Sequence, residues 1–339
     1  MKTPSKHPSR PLLRPACALL LTCLLSRANP EKFEVVPTRT HDPSGIVHDG
    51  DTAWIFSTGN GVRSHSSKDL ETWTKGPPVF PRPLPWLKQV APSQRGHLWA
   101  PDILKINDRF FLYYSVSAFG KQSSALALAT SPSLDPKADD YHWSDQGIVL
   151  RSKAGDPYNA IDPSILLDGD QLWMSFGSFW DGIFLTELDP ATGKLKDPDA
   201  KPIQLASAPE IEAPYLHKRG KFYYLFVNWG LCCRGVKSTY EIRVGRSEKV
   251  TGPYLDRDGI DLRNGGGSLV IGTAGDFVGP GHASIVRDAK GRERLACHYY
   301  DASRNGSSHL AFPLLRWTEG DWPEIPAFMK GDDKAAPGD

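Results

Sequence analysis

The chain has 339 residues, 40 of them Lys or Arg and 39 Asp or Glu, for a formal net charge of +1. So even a balance provides no field to gather nucleic acid or to hold an anionic membrane, and a neutral partner is favoured. Apolar content of 40% allows a full-sized core, and 31 Gly and 29 Pro beside 10 Trp and 11 Tyr predict many turns joining aromatic-rich strands.

The first segment reads as an export signal over 1–28. Basic Lys2, Lys6, Arg10 and Arg14 precede an apolar run from Ala16 to Leu25, and Ser26-Arg27-Ala28 offers a small-x-small cleavage site. The run is too short to span a bilayer. The mature protein is therefore expected to be secreted, extracellular or periplasmic, with no membrane attachment; a lipoprotein site at Leu20-Leu21-Thr22-Cys23 is the alternative. Cys17 and Cys23 leave with the signal. Cys232, Cys233 and Cys297 remain, an odd count that leaves open a vicinal disulfide, a bridge from one of the pair to Cys297, or buried thiols.

From residue 29 to 328 one module recurs five times: a Pro-containing tetrapeptide, a short apolar strand, a polar turn and an aromatic strand. The copies begin at His41-Asp42-Pro43-Ser44, Ala100-Pro101-Asp102-Ile103, Asp162-Pro163-Ser164-Ile165, Glu212-Ala213-Pro214-Tyr215 and Gly279-Pro280-Gly281-His282. Turns such as Asp49-Gly50-Asp51, Asp168-Gly169-Asp170 and Arg219-Gly220-Lys221 favour tight hairpins. Further strands fit at 123–130, 182–188 and 240–246, and no long helical period is present. Prolines of successive copies stand 58, 62, 51 and 66 residues apart, too far for a helical solenoid and right for four-stranded blades. The expected fold is all-β, a five-bladed β-propeller, with a disordered tail over 329–339. A β-sandwich would use hairpins too, but without one tetrapeptide at near-equal steps.

In a propeller the five tetrapeptides converge on one axis, which gathers Asp42, Asp162 and Glu212 at one opening. One Asp-Pro-Ser is only a turn signal. Three acids near one axis destabilise a fold unless they serve chemistry, and burial with mutual repulsion splits their proton affinities into an acid and a base. Glycosidic hydrolysis needs that division. Asp102, two positions later in its copy, is a structural acid. Rings and amides suited to sugar lie nearby in sequence: Trp99, Phe119, Tyr158-Asn159, Ser178-Phe179-Trp180 and Asn228-Trp229. His282 stands in the fifth copy, and no Cys/His cluster spells zinc.

These motifs, with Phe176-Gly177-Ser178-Phe179-Trp180 and Cys232-Cys233-Arg234-Gly235 followed by Ser238-Thr239-Tyr240, resemble glycoside hydrolase family 43, and within it the arabinan endo-1,5-α-L-arabinosidases. The likeness covers nearly the whole mature chain. It implies a five-bladed propeller that cleaves α-1,5-linked arabinan and arabino-oligosaccharides with inversion. By motif, Asp42 matches the general base, Glu212 the general acid, and Asp162 the acid that orients Glu212 and tunes its pKa. An inverting pair stands roughly 6.5–9.5 Å apart. His41, Trp99, Phe119, Asn159, Ser178, Phe179 and Trp180 are the candidate substrate contacts. A structural metal ion, often calcium, is implied at His282 with water as most of its ligands; no organic cofactor is implied, and the protein is expected to be a monomer. Rival readings are an exo-acting arabinanase, an α-L-arabinofuranosidase or a β-xylosidase of the same fold, and a non-catalytic carbohydrate-binding propeller.

Overall fold

The computed structural model describes Met1 and residues 35–326; the export segment beyond Met1, residues 2–28, and the tail at 329–339 lie outside the described residues. Five antiparallel sheets of four or five strands follow one another along the chain as blades, built by sequential hairpins except for the last strand of the fifth, and Arg316–Trp317 pairs with Pro323–Glu324 in a separate two-stranded sheet. Blade I holds Val47–Asp49, Thr52–Ser57, Arg63–Ser67 and Thr74–Lys75. Blade II holds His97–Ile106, Arg109–Val116, Ser124–Ser131 and Ser144–Ser152, with the two-residue strand Gly59–Asn60 on its edge. Blade III holds Ser164–Asp168, Gln171–Phe176, Ile183–Leu188 and Ile203–Ala206. Blade IV holds Ile211–Arg219, Phe222–Trp229, Glu241–Ser247 and Ser268–Ile271. Blade V takes Phe277–Arg287, Glu293–Asp301 and Ser307–Ala311 from the end of the chain, and its fourth strand, Val35–Arg39, from the beginning. That last pairing closes the ring.

The core is five seams rather than one centre. In Arg109–Val116, Phe110, Leu112 and Tyr114 pack against Trp54 and Phe56 of blade I, while Phe111 and Tyr113 pack against Leu172 and Met174 of blade III. Strand Phe222–Trp229 does the same between blades III and V, and Val286, Ala296 and Leu310 meet Ile55 across the closing seam. Because both faces of a blade are covered, these strands are apolar on both alternating sets of side chains. The aromatic second strands therefore lie deeper than the half-buried surface their composition suggests. Among the described residues the only α-helix is Leu87–Val90, in keeping with the absence of helical periodicity.

A tetrapeptide opens each blade, and in blades II, IV and V it lies in a bulge of the first strand. The residue before the proline is left-handed in all five: Asp42 (φ 50°), Ala100 (41°), Asp162 (57°), Ala213 (51°) and Gly279 (56°). Blade V has a second left-handed residue close by, His282 at 61°. Its register skips twice, between Val278 and Gly281 and between Gly281 and Ser284, where blades II and IV skip once, between Trp99 and Asp102 and between Glu212 and Tyr215. The amide of His282 makes the match, since it donates to Asn228 on the preceding blade's second strand as Asp42 and Asp162 donate to His298 and Ser115, whereas Gly279 N–H goes to Thr273. On that match Ala283 stands for the proline, three residues beyond Pro280, and His282 is level with Asp42 and Asp162. Gly281 then falls level with Glu212, and a Cβ there would meet the Tyr240 ring at 2.3 Å.

Candidate active site

A non-glycine residue with positive φ is strained, the more so ahead of proline, and five in one ring need an external hold. Four of their amides donate to a side chain of the preceding blade's second strand or its end. Asp42 N–H reaches His298 Nδ1 at 3.1 Å, Ala100 N–H reaches Thr58 Oγ1 at 2.8 Å, Asp162 N–H reaches Ser115 Oγ at 3.0 Å, and His282 N–H reaches Asn228 Oδ1 at 2.9 Å. The Ala213 amide instead donates to the Asp162 carboxylate. Asp102 binds the ring one step further out, its two oxygens accepting from Gly45 N–H (2.9 Å) and Ile165 N–H (2.8 Å) and so tying blades I, II and III together. Burial pushes it up to about 6 against these amides.

The three acids sit in opposed electrostatic settings. Asp42 Oδ1 lies 2.8 Å from His41 Nδ1, 3.7 Å from His282 Nδ1 and 3.8 Å from His298 Nδ1, while Oδ2 accepts from the Thr58 hydroxyl at 2.5 Å. Burial alone would raise Asp42, but the charge and hydrogen bond of His41, with smaller contributions from His282 and His298, hold it well below the usual carboxylate range. Burial lowers His41 in turn, yet Asp42 outweighs it and lifts the imidazole to about 10. Glu212 is moved the other way. Burial raises it, the Ser178 hydroxyl on Oε2 at 2.6 Å opposes this, the Asp42 charge adds to it, and the carboxyl rests at about 7. Burial and then the Glu212 charge hold Asp162 well above its ordinary value. The two share a dry corner in which both cannot ionise easily.

Of the sugar contacts suggested by sequence, His41 and Ser178 touch the acids themselves. Ser178 gives its hydroxyl to Glu212, and His41 pairs with Asp42. Asn159 is buried and takes the hydroxyls of Ser124 (2.6 Å) and Ser152 (3.5 Å) on its Oδ1, a scaffold role beneath the surface. Trp99 is half-buried, its indole N–H on His97 Nδ1. Phe179 and Trp180 both adopt positive φ, and Phe179 N–H donates to Ile211 O at 2.7 Å, beside the Glu212 strand. Trp180 is 43% exposed and Phe119 82%. Sequence reasoning missed Thr58, Ser115, His298 and Tyr300. Aligning second strands as well as tetrapeptides would have found the first three, since each ends opposite a bulge.

Burial keeps His282 neutral, the form that ligates metal. It offers one imidazole. Among the described residues, the clusters of three His, Cys, Asp or Glu ligand atoms within 4.8 Å are His41–Cys232–Cys233 and His41–Asp42–His298, and His282 joins neither. An ion at His282 fits this donor set only with oxygen from water filling its other positions, as a hard cation accepts. All three cysteines outside the export segment are free, and Cys297 is fully buried in the seam between blades IV and V.

A closed ring of five blades with buried acids split between low and high proton affinity is the architecture of a propeller glycosidase. Residues 32–323 match Glycosyl hydrolases family 43. An extracellular exo-α-(1→5)-L-arabinofuranosidase of Cellvibrio japonicus is 42% identical over 322 residues, 91% of each chain. An extracellular endo-α-(1→5)-L-arabinanase of Bacillus subtilis is 39% identical over 292 residues, 84% of this chain and 86% of its own. The structure of Cellvibrio cellulosa α-L-arabinanase complexed with arabinohexaose superposes with a TM-score of 0.81 at 42% identity, covering 85% of this chain and 95% of that one. The chain belongs to glycosyl hydrolases family 43. Among its described residues no helix is long and apolar enough to cross a membrane.

Proposed function

We propose that this protein is a secreted endo-acting hydrolase of α-1,5-linked arabinan that inverts the anomeric centre, with Asp42 as general base, Glu212 as general acid and Asp162 as the acid that tunes Glu212. One observation carries the assignment of roles: Asp42 is held well below the usual carboxylate range while Glu212 is raised to about 7. A base must arrive ionised and an acid must arrive protonated, and near neutral pH each has the state it needs. Water held by Asp42 loses a proton to it as the oxygen attacks the anomeric carbon. Glu212 gives its proton to the leaving oxygen from the opposite face, and both carboxyls then exchange protons with solvent to reset. His41 steadies the Asp42 charge, Ser178 aims Glu212, and Asp162, which accepts from the Ala213 amide, is coupled to the ionisation of Glu212. A cation at His282 would supply fixed positive charge in the channel, and the export signal at 1–28 agrees with two relatives named extracellular.

The exo reading has one observation in its favour, the name of the 42% identical Cellvibrio japonicus relative. Linear arabinan incubated with purified protein distinguishes them: an endo enzyme gives a ladder of oligosaccharides early, whereas an exo enzyme gives one short product throughout. No cleavage of arabinan, with xylan or aryl glycosides cleaved instead, overturns the substrate.

A further inference from the structure

The hydrolytic scheme leaves one reactive pair unused. Cys232 and Cys233 sit on the loop between Phe222–Trp229 and Glu241–Ser247, with their sulfurs 2.6 Å apart and Cys233 Sγ 3.7 Å from His41 Nε2. The loop is braced. Leu231 and Thr239 exchange hydrogen bonds at its neck, Arg234 N–H donates to Ser238 Oγ, and Cys233 N–H donates to the Tyr300 hydroxyl, which itself lies 2.7 Å from His41 Nε2. Gly306 packs so closely against it that a Cβ there would meet Val236 N at 2.6 Å. Cys233 is exposed, so an ion can reach the pair from solvent.

We propose that Cys232, Cys233 and His41 form a site for a thiophilic divalent cation of the Zn²⁺ or Cd²⁺ class, and that its binding shuts the active site. Two sulfurs and an imidazole are a soft to borderline donor set that selects such ions over calcium or magnesium, which take oxygen. The three ligand atoms already lie within 4.8 Å of one another. A tetrahedral zinc wants sulfurs about 3.8 Å apart and sulfur about 3.6 Å from nitrogen, from its usual bond lengths. The sulfurs must therefore part by about 1 Å, within reach of a side-chain rotation at exposed Cys233. Water takes the fourth position. His41 already has the outer partner that metal-bound histidines use, since its Nδ1 faces Asp42 at 2.8 Å.

Binding leaves both sulfurs as thiolates and His41 Nε2 without a proton, whatever protons they carried passing to solvent, with no oxidation. A dication with two thiolates and one neutral imidazole carries no net charge. The ion and its water crowd the space beside Asp42, whose carboxylate lies 2.8 Å from the ligating His41 ring. This site is separate from the cation implied at His282, which shares none of these ligands.

The test uses reduced, desalted protein titrated with Cd²⁺, following thiolate-to-metal absorption in the ultraviolet and, in parallel, hydrolysis of arabinan. One equivalent per chain should bind, with the rate falling at least about tenfold, and Ca²⁺ at equal concentration should produce neither effect. Cys232→Ser/Cys233→Ser should weaken both by more than the roughly 10- to 100-fold that losing an outer partner of a metal ligand costs; Cys233→Ser alone, at an exposed position, serves if the double variant does not fold. Absence of the absorption band, a band without inhibition, or undiminished inhibition of the variants each overturns the proposal. The absorption arm needs no substrate, so it decides the site even if arabinan proves not to be cleaved.

Discussion

At the scale of single residues, the reaction depends on where two protons sit. With Glu212 at about 7 and needed in its protonated form, kcat/KM should hold steady below that value and fall about tenfold per pH unit above it, as loss of one essential proton requires. Glu212→Gln should lower kcat on arabinan by about 10²–10⁴-fold, the usual worth of a positioned proton donor. A substrate whose leaving group departs as an anion should lose far less. His41→Gln takes away the charge that offsets the burial of Asp42, so an acid limb should appear where the wild type has none. Asp42, Asp162 and Glu212 were legible in the sequence because each stands one or two positions before a repeated proline. Thr58, Ser115 and His298 were not, because they lie at the far ends of second strands and approach the bulges only through the neighbouring blade.

At the scale of elements, the working unit is the strained bulge together with its capture by the preceding blade. Thr58 joins both parts of one such unit, donating to Asp42 and accepting from Ala100. Thr58→Val keeps the shape and removes the hydroxyl, leaving buried polar groups unpaired, and should cost about 1–3 kcal/mol in denaturant melts. Activity should drop as well, since Asp42 loses its fixed orientation. Ala100→Gly acts on the strain alone. The left-handed conformation costs a non-glycine residue about 1–2 kcal/mol, and glycine's added unfolded-state freedom costs about 0.5–1 kcal/mol. A net gain of up to about 1 kcal/mol is expected, and a clear loss would mean that the bulge is not strained in solution. The fifth bulge shows where sequence reasoning slips. Pro280 drew the repeat three residues out of register, because proline marks the tetrapeptide in the other copies and Ala283 carries no such mark. Pairing and φ fit Gly279 as well as His282, and the hydrogen bond from the His282 amide to Asn228 is what places that residue level with the two aspartates.

At the scale of the whole molecule, five copies of one tetrapeptide made the blade number legible, but nothing in Val35–Arg39 announces that it completes the last blade. That strand bears no repeat motif, and its partner, Ser307–Ala311, is some 270 residues away in sequence. Pairing brings Val35 opposite Ala311 and Val36 opposite Leu310, and it places Val36 in the seam with Ile55 of blade I. The strand thus joins the two ends of the chain within blade V and carries the chain on into blade I. A variant starting at residue 40 should lose about 2 kcal/mol from Val36 burial alone, and further stability from the lost ladder. It would also expose Ser307–Ala311 as an open, largely buried-type edge, which invites strand pairing between molecules. Size-exclusion chromatography should show dimers or larger species, and thermal melts should start earlier and be less cooperative. A monomer with an unchanged melting point would mean that the ring is held by its four other seams, and that the closing strand is dispensable to the geometry of Asp42, Asp162 and Glu212.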